Sequence, residues 1–451
     1  EWCDAGVLRA IKRRSLAKLR REVEPVEPAA FGRFLADWQG VAAPRPGLEA
    51  LLAAVEQLQG CPIPASVLEN EVLPARIERY RPSDLDFLCA SGEVMWRGLE
   101  PLGPSDGRIA LYLPDRFPQL ATPAAKVEGE LAERIRKLLA ARGALFFPDL
   151  VAETGAFPGD VVSALWDLVW AGEATNDTFA PLRSLLRGTA KRSGRRVTTG
   201  AGFHSRRLGP PGSEGRWSLL SHASSRQAST ETERRAATAK VLLERHGVLT
   251  REAVGAEGVA GGFSAVYPVL KAMEESGQIR RGYFVAGLGA TQFALPGADD
   301  RLRGMREASE QPQTLVLAAT DPANPWGAAL AWPQGDARPQ RAAGAQVILR
   351  DGALLGWVGR AESNLVTFLP AAEPERGAAA EALVAALARL VESGRRRAVL
   401  LSRVDGGDPR ESPLAPYLTA AGFLAGSRGY LKRILRPPLD SRPGAPGPLH
   451  A

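Results

Sequence analysis

Val169-Trp170-Ala171-Gly172-Glu173-Ala174-Thr175-Asn176-Asp177-Thr178-Phe179-Ala180-Pro181-Leu182-Arg183 is the stretch that decides how this chain reads. A helical pattern ends at Trp170, Gly172 breaks it, and a polar run follows. A glycine just past the last periodic residue is a helix stop, because it enters the left-handed region without a Cβ penalty. The junction recurs. Leu85 to Val94 reads Leu-Asp-Phe-Leu-Cys-Ala-Ser-Gly-Glu-Val, and Leu165 to Ala174 reads Leu-Trp-Asp-Leu-Val-Trp-Ala-Gly-Glu-Ala. Leu270 to Ile279 reads Leu-Lys-Ala-Met-Glu-Glu-Ser-Gly-Gln-Ile. Each copy is read as the recognition helix of a winged helix followed by its wing.

The second unit, residues 123–188, surrounds the opening stretch. Leu131, Ile135, Leu138 and Leu139 form its first helical face, and Pro148 and Pro158 open the next two helices. The first unit, residues 48–122, has a third helix for which Ser83 is the expected cap. Two alternating strands joined by Gly103-Pro104-Ser105-Asp106-Gly107 form its wing. The third unit, residues 232–300, has Thr250 as the cap of its second helix and a wing from Ile279 to Leu295. Residues 1–47 read as a basic helical lead-in, and 189–231 as a basic linker with a short strand. Residues 312–436 are strand-rich, with Asp351-Gly352 as a two-residue hairpin turn, and 437–451 is a Pro-rich tail expected to be disordered. The fold class expected is α+β multidomain. Tandem winged-helix domains are followed by a β-rich, barrel-like α+β C-terminal domain.

The 451 residues suit three to four domains at roughly 100–200 residues each. The formal net charge of +7 is concentrated. Between Arg183 and Arg216 there are nine Lys/Arg against one acid, Glu214, and such a block attracts polyanions, nucleic acid first. A solvated basic linker is the competing reading. Three spread cysteines and no CxxC pair point to a reducing compartment without a disulfide framework. The four histidines show no ligand spacing, so no metal site is expected. No apolar run is long enough to span a membrane, and a cytoplasmic, nucleoid-associated protein is expected. The chain starts at Glu1-Trp2 already in helical pattern, as a piece of something longer would.

No Gly-x-x-x-x-Gly-Lys-Ser/Thr motif is present to cradle a triphosphate, and no Ser/His or Cys/His constellation offers a nucleophile. No catalytic residue is therefore assigned. The wings carry the better signal. A winged helix can lay its third helix in a groove and its wing along phosphate, and aromatics at the junction can stack on unpaired bases. Trp96, Trp170 and Tyr283 hold such positions. Thr175, Asn176 and Thr178 are uncharged donors suited to phosphate or sugar, and Arg97, Arg183, Arg280 and Arg281 supply counter-charge. The competing reading places Trp96 and Trp170 in the core. Tandem winged helices can also serve as protein-binding scaffolds.

The run Trp170 to Leu182 resembles the large helicase-related (Lhr) family of bacterial superfamily 2 DNA helicases. So do Gly215-Arg216-Trp217-Ser218-Leu219-Leu220, the segment Gly261–Leu295, and Thr320-Asp321-Pro322-Ala323-Asn324-Pro325. The resemblance covers roughly Glu1 to Leu435. It implies the post-motor part of an ATP-dependent 3′-to-5′ helicase acting in DNA repair, with single-stranded DNA or a DNA–RNA hybrid as partner. It also implies that a tryptophan of this part stacks on a base, a role carried onto Trp170. ATP and magnesium would bind the RecA-like motor domains, which this chain lacks and which would act in cis or in trans; no cofactor is expected in the chain itself. The chain also resembles the tandem winged-helix alkylpurine DNA glycosylases at Gln57-Leu58-Gln59, where a Gln–apolar–Gln motif activates water. Surface glutamines at a helix end are the competing reading there.

Overall fold

The computed structural model describes Gly6 and residues 24–188, 209–220, 229–289, 291–335, 337–360 and 363–434. The basic helix expected over Glu1–Glu24, most of the basic stretch after Gly188 and the C-terminal tail lie outside the described residues, save Gly6, which is helical, and Glu24. The chain divides into a unit of residues 1–354 and a unit of residues 355–451.

Three winged helices lie in the larger unit, and each is built in the same order. The first has a helix Leu48–Leu58, a strand β1 (Ile63–Pro64), short helical turns from Ala65 to Arg76, a third helix Pro82–Ala90, and wing strands β2 (Met95–Pro101) and β3 (Gly107–Tyr112). The second has helices Glu130–Arg142, Phe147–Thr154 and Pro158–Trp170, with strands β4 (Leu145–Phe146), β5 (Ala174–Asn176) and β6 (Arg216–Leu219). The third has helices Glu231–His246, Arg251–Ala256 and Gly262–Glu275, with strands β7 (Val248–Leu249), β8 (Arg280–Gly282) and β9 (Gln292–Ala294). The sheets run β1-β3-β2, β4-β6-β5 and β7-β9-β8, all antiparallel. The repeated junction thus produces the same topology three times.

Local chemistry accounts for most boundaries. Gly172 and Gly277 stand at φ +75° and +80° just past their recognition helices, as the left-handed stop requires. Thr230 and Glu233 form a reciprocal capping box that opens Glu231–His246, and the Thr250 hydroxyl accepts from the Ala253 amide. Ser83 does not cap as expected. Pro82 opens that helix one residue earlier, since its fixed φ suits the first helical position, and no side chain caps Arg81. The polar run after Gly172 forms the short strand Ala174–Asn176, and Ala180–Gly188, the end of this unit, is helical.

The strand expected inside the linker belongs to the second winged helix. β6 pairs with both β4 and β5, so the second wing runs from Asp177 to Gly215. It is an insertion between two paired strands and not a connection between domains.

The first and second winged helices share one apolar core, which includes Leu51, Leu85, Trp96, Leu165, Leu168 and Trp217. β2 lies directly on the end of helix Pro158–Trp170. A Cβ on Gly98 would overlap the Val169 carbonyl, so only glycine permits that approach. The third winged helix has a separate core, and helix Pro28–Trp38 of the lead-in belongs to it. Phe34 and Trp38 cover Gly247, the Trp38 indole donates to the Glu244 carbonyl at 2.9 Å, and Val26 bridges to Val285. This helix therefore packs on elements more than 200 residues away in sequence.

Strands β10 (Thr314–Ala318) and β11 (Gln346–Arg350) pair antiparallel beyond the third wing. Asp351 and Gly352 turn the chain with φ of +49° and +78°, the signs a type I′ turn demands. The division between the two units falls within β12 (Ala353–Val358). In the smaller unit β12 pairs with β13 (Asn364–Thr367), which pairs parallel with β15 (Arg403–Val404). A separate sheet takes the order β14-β17-β16, from Ala398–Leu401, Gly429–Arg433 and Leu424–Gly426, beside helix Glu375–Glu392. The region is α+β as expected, but these are open sheets and not a closed barrel.

Candidate nucleic-acid interface

The opening stretch is where the first two winged helices are joined. The Thr175 hydroxyl donates to the Trp96 carbonyl at 2.6 Å, and the Trp96 indole donates to the Thr178 carbonyl at 3.2 Å. Trp96 is wholly buried, with its ring 5.5 Å from that of Phe179. The Asn176 amide donates to the Glu214 carbonyl and accepts from the Thr178 amide and hydroxyl, which pins the base of the inserted wing. Asp177 adds an ion pair to Arg216 at 2.7 Å. Arg183 reaches across the seam to Glu69 and Asp86, both at 2.7 Å. Burial opposes its charge, but these two carboxylates outweigh that and hold its pKa above the ordinary value. Trp96, Thr175, Asn176, Thr178 and Arg183 are thus already engaged within the fold. Their polar groups match the donors and charges that nucleic acid would use, which is why the sequence pattern alone does not separate the two roles.

Trp170 and Arg97 sit at the edge of the same seam. Trp170 is half-buried, with its ring 5.3 Å from Trp166 and lying over Gly107 of β3, where a Cβ would overlap it. Arg97 is buried over Gly172 and donates to the Thr122 carbonyl at 2.6 Å. Burial lowers its pKa, and among the described residues no acid pairs with it and its Nε has no hydrogen-bond partner.

On the third wing, Arg280 is largely exposed and pairs with Asp299 at 2.7 Å. Arg281 is held by Glu274 at 3.5 Å and Tyr267 at 3.3 Å. Tyr283 is half-buried, and its hydroxyl accepts from the Gly287 amide at 3.0 Å. The structure does not bring these three to the Trp170 seam; they stand on a separate winged helix.

A chain of three adjoining cavities lies between the winged helices. The first, 660 Å³, is lined by Arg97, Lys126, Arg136 and Arg234. It shares Thr122, Pro123 and Arg234 with a second of 470 Å³, which adds Gln59, Arg108 and Arg235. That groove shares Pro62, Arg108, Glu257 and Gly258 with a third of 240 Å³. Arg136 is paired with Glu173 and Glu133, while Arg234 and Arg235 are paired with Glu231. Lys126 is exposed and has no ion pair among the described residues. Sequence reasoning missed this trench. Its cations come from a wing, a linker, the middle of one helix and the start of another, and only the Arg234-Arg235 doublet stands out in the sequence.

Gln57 and Gln59 are in unlike states, and only Gln59 lines the trench. The Gln57 amide donates to the Trp38 carbonyl at 3.0 Å. The Gln59 side chain is buried, lines the 470 Å³ groove and has no partner for Oε1. Arg245 fastens this helix end to the third winged helix through the Gln57 and Gln59 carbonyls, at 3.2 and 2.5 Å. Among the described residues, no group of three or more His, Cys, Asp or Glu is placed to hold a metal.

Two family models described as "Large helicase-related protein, winged-helix domain" match this chain, over residues 26–114 and 228–314. They cover the first and third winged helices found above. The chain belongs to the large helicase-related (Lhr) family. It is 44% identical over 395 residues to "Lhr helicase/ probable uracil glycosylase" of Mycolicibacterium smegmatis, and 35% identical over 407 residues to "Lhr helicase/uracil glycosylase" of Escherichia coli. These alignments take in 82% and 81% of this chain but 26% of each relative, so the chain spans about a quarter of the length of either Lhr protein. It corresponds to a C-terminal portion of such a protein. Among solved structures it resembles the Streptomyces sahachiroi DNA glycosylase AlkZ, with a TM-score of 0.50 and 16% identity over 84% of this chain and 100% of that one. At that identity the likeness is one of fold alone. No helix among the described residues is long and apolar enough to cross a membrane.

Proposed function

We propose that this chain is a single-stranded DNA-binding module that works behind the motor domains of an Lhr-type, ATP-dependent 3′-to-5′ helicase in DNA repair. The observation that carries this reading is the trench of the first two cavities, where seven cations, Lys126 and Arg97 among them, outnumber five glutamates. Such a groove tracks a phosphate backbone without reading sequence. In this reading Trp170 is the stacking residue, and Arg280, Arg281 and Tyr283 offer a second contact on the third wing. Fluorescence anisotropy with a labelled single-stranded oligonucleotide tests the reading. Binding should weaken steeply with salt, and Lys126→Ala should weaken it further. Binding that ignores both salt and Lys126→Ala would remove the trench as a DNA site.

A second reading is favoured by Gln59. Gln59 lines the same groove, and its buried amide oxygen has no hydrogen-bond partner. The relatives' names join helicase with uracil glycosylase. In that reaction water adds at C1′ as the bond to uracil breaks, one water proton going to the departing base and the hydroxyl staying on the sugar. Incubation of this chain with uracil-containing DNA should leave an abasic product, and Gln59→Leu should abolish it. Undiminished product from Gln59→Leu, or none from the unaltered chain, removes this role.

A further inference from the structure

The smaller unit holds a polar recess framed by two tight turns. The first turn is closed by reciprocal backbone bonds between Val404 and Gly407, with Asp405 and Gly406 at φ of +50° and +81°. These are the signs of a type I′ turn. Ser427 and Arg428 form the second, a two-residue connection between β16 and β17 whose last pair is Gly426 with Gly429. A Cβ on Gly429 would overlap the Leu401 carbonyl, so the chain leaving β14 lies against this second turn. Ser402 and Arg403 follow directly, and both turns line the same space.

The recess holds 320 Å³, and no apolar side chain lines it. Arg403, Arg410 and Arg428 do, together with Ser402 and Ser427. The one acid in the lining is Asp408, and it is already engaged. The Arg410 Nε donates to both its oxygens, at 3.0 and 3.1 Å, and Arg410 holds the Asp408 carboxyl down at about 2. Arg403 and Arg428 are exposed and have no ion pair among the described residues.

This lining selects among ligands. A nucleobase or any other flat ring would find no apolar wall to lie on. Two uncompensated guanidiniums suit two negative charges, and a phosphodiester or a single carboxylate carries one. A phosphomonoester carries about −1.5 to −2 at neutral pH on three acceptor oxygens. Guanidinium groups present paired donors that match phosphate oxygens. We propose that the recess binds a phosphomonoester through Arg403 and Arg428. The site lies wholly within the smaller unit, so it goes beyond the single-strand reading of the trench and does not rest on it. The terminal phosphate of a nucleic-acid strand and a small phosphate compound share this chemistry.

The test uses the full chain and a 5′-phosphorylated thymidine dinucleotide, whose terminal monoester and internal diester give separate phosphorus NMR signals. The monoester signal should shift and broaden as the chain is added, while the diester signal stays in place. Arg403→Ala and Arg428→Ala should each weaken binding about threefold, and together about tenfold, the scale of exposed ion pairs. Asp408→Asn, which frees Arg410, should tighten binding about threefold, a gain that damage to the fold would not produce. No response, a diester signal that moves as far as the monoester, or a response that survives the double substitution overturns the proposal. Lys126→Ala should leave the monoester response unchanged; a loss there assigns it to the trench and also overturns the proposal. Competition separates the two sources. Displacement by inorganic phosphate and thymidine monophosphate at equal concentration assigns the site to small phosphate compounds. Displacement by a 5′-phosphorylated strand, and not by its 5′-hydroxyl form or by either small compound, assigns it to strand ends.

Discussion

Thr175 and Trp96 hold the first two winged helices together, the hydroxyl of one donating to the carbonyl of the other at 2.6 Å in a buried setting. Removing one partner of a buried bond exposes the other to the full desolvation penalty, about 1–3 kcal/mol. Thr175→Val should lower the stability of the larger unit by that amount in urea unfolding. Its single-stranded DNA affinity should stay unchanged. A loss of affinity with stability intact would instead make Thr175 a direct contact.

Trp170 differs because it is only half-buried. Base–aromatic stacking is worth about 1–3 kcal/mol per base. Trp170→Ala should therefore weaken single-strand binding roughly 5- to 150-fold by anisotropy, while circular dichroism shows the fold retained. Trp170→Phe, which keeps a stacking face, should restore most of the affinity.

Lys126 and Arg235 should contribute through charge. For single strands the slope of log K against log salt changes by about 0.7 per phosphate contact. Lys126→Ala and Arg235→Ala should each flatten the slope by about that much and weaken all sequences alike. A titration from low to moderate salt measures it.

Arg76 and Asp321 meet in parallel bonds of 2.8 Å with side chains 2% and 0% exposed. Breaking such a pair leaves an uncompensated buried charge, about 3–5 kcal/mol. Asp321→Asn should destabilise the larger unit by that order in thermal or urea unfolding, and Arg76→Met with Asp321→Leu together should recover much of it.

Glu257 supplies a pH dependence. Burial raises its pKa, but Arg245 and His246 outweigh burial and hold it at about 2, against an ordinary 4.5. A carboxyl depressed on folding adds stability that is complete above its unfolded pKa and is lost as pH falls toward the folded one. The thermal midpoint should therefore drop between about pH 4.5 and pH 2. Glu257→Gln should be less stable at neutral pH and show a shallower drop across that window.

The three repeats were legible because a period of 3.6 ending at glycine is a local signal, and each copy folded into the same sheet order. The hairpin at Asp351-Gly352 was legible for the same reason. Strand β6 was not assigned to its unit, since its partner lies before a long basic insertion and nothing local ties Trp217 to Asn176. The trench escaped notice because Lys126, Arg108 and Arg235 meet only through tertiary packing. Arg183 and Asn176 drew attention for their chemistry, but charge and amide groups are equally what a domain seam needs.

The inserted wing also bears on how the chain reaches this structure. The paired residues nearest the wing tips are six apart in the first unit, Pro101 and Gly107, and ten apart in the third, Gly282 and Gln292. In the second, Asn176 and Trp217 are 41 apart. Loop-closure entropy grows as the logarithm of length, so this closure costs roughly 1.5–2 kcal/mol more than the first. The middle winged helix should complete its sheet after its neighbours. Because it shares its core with the first, the shared core waits on the slowest hairpin of the three.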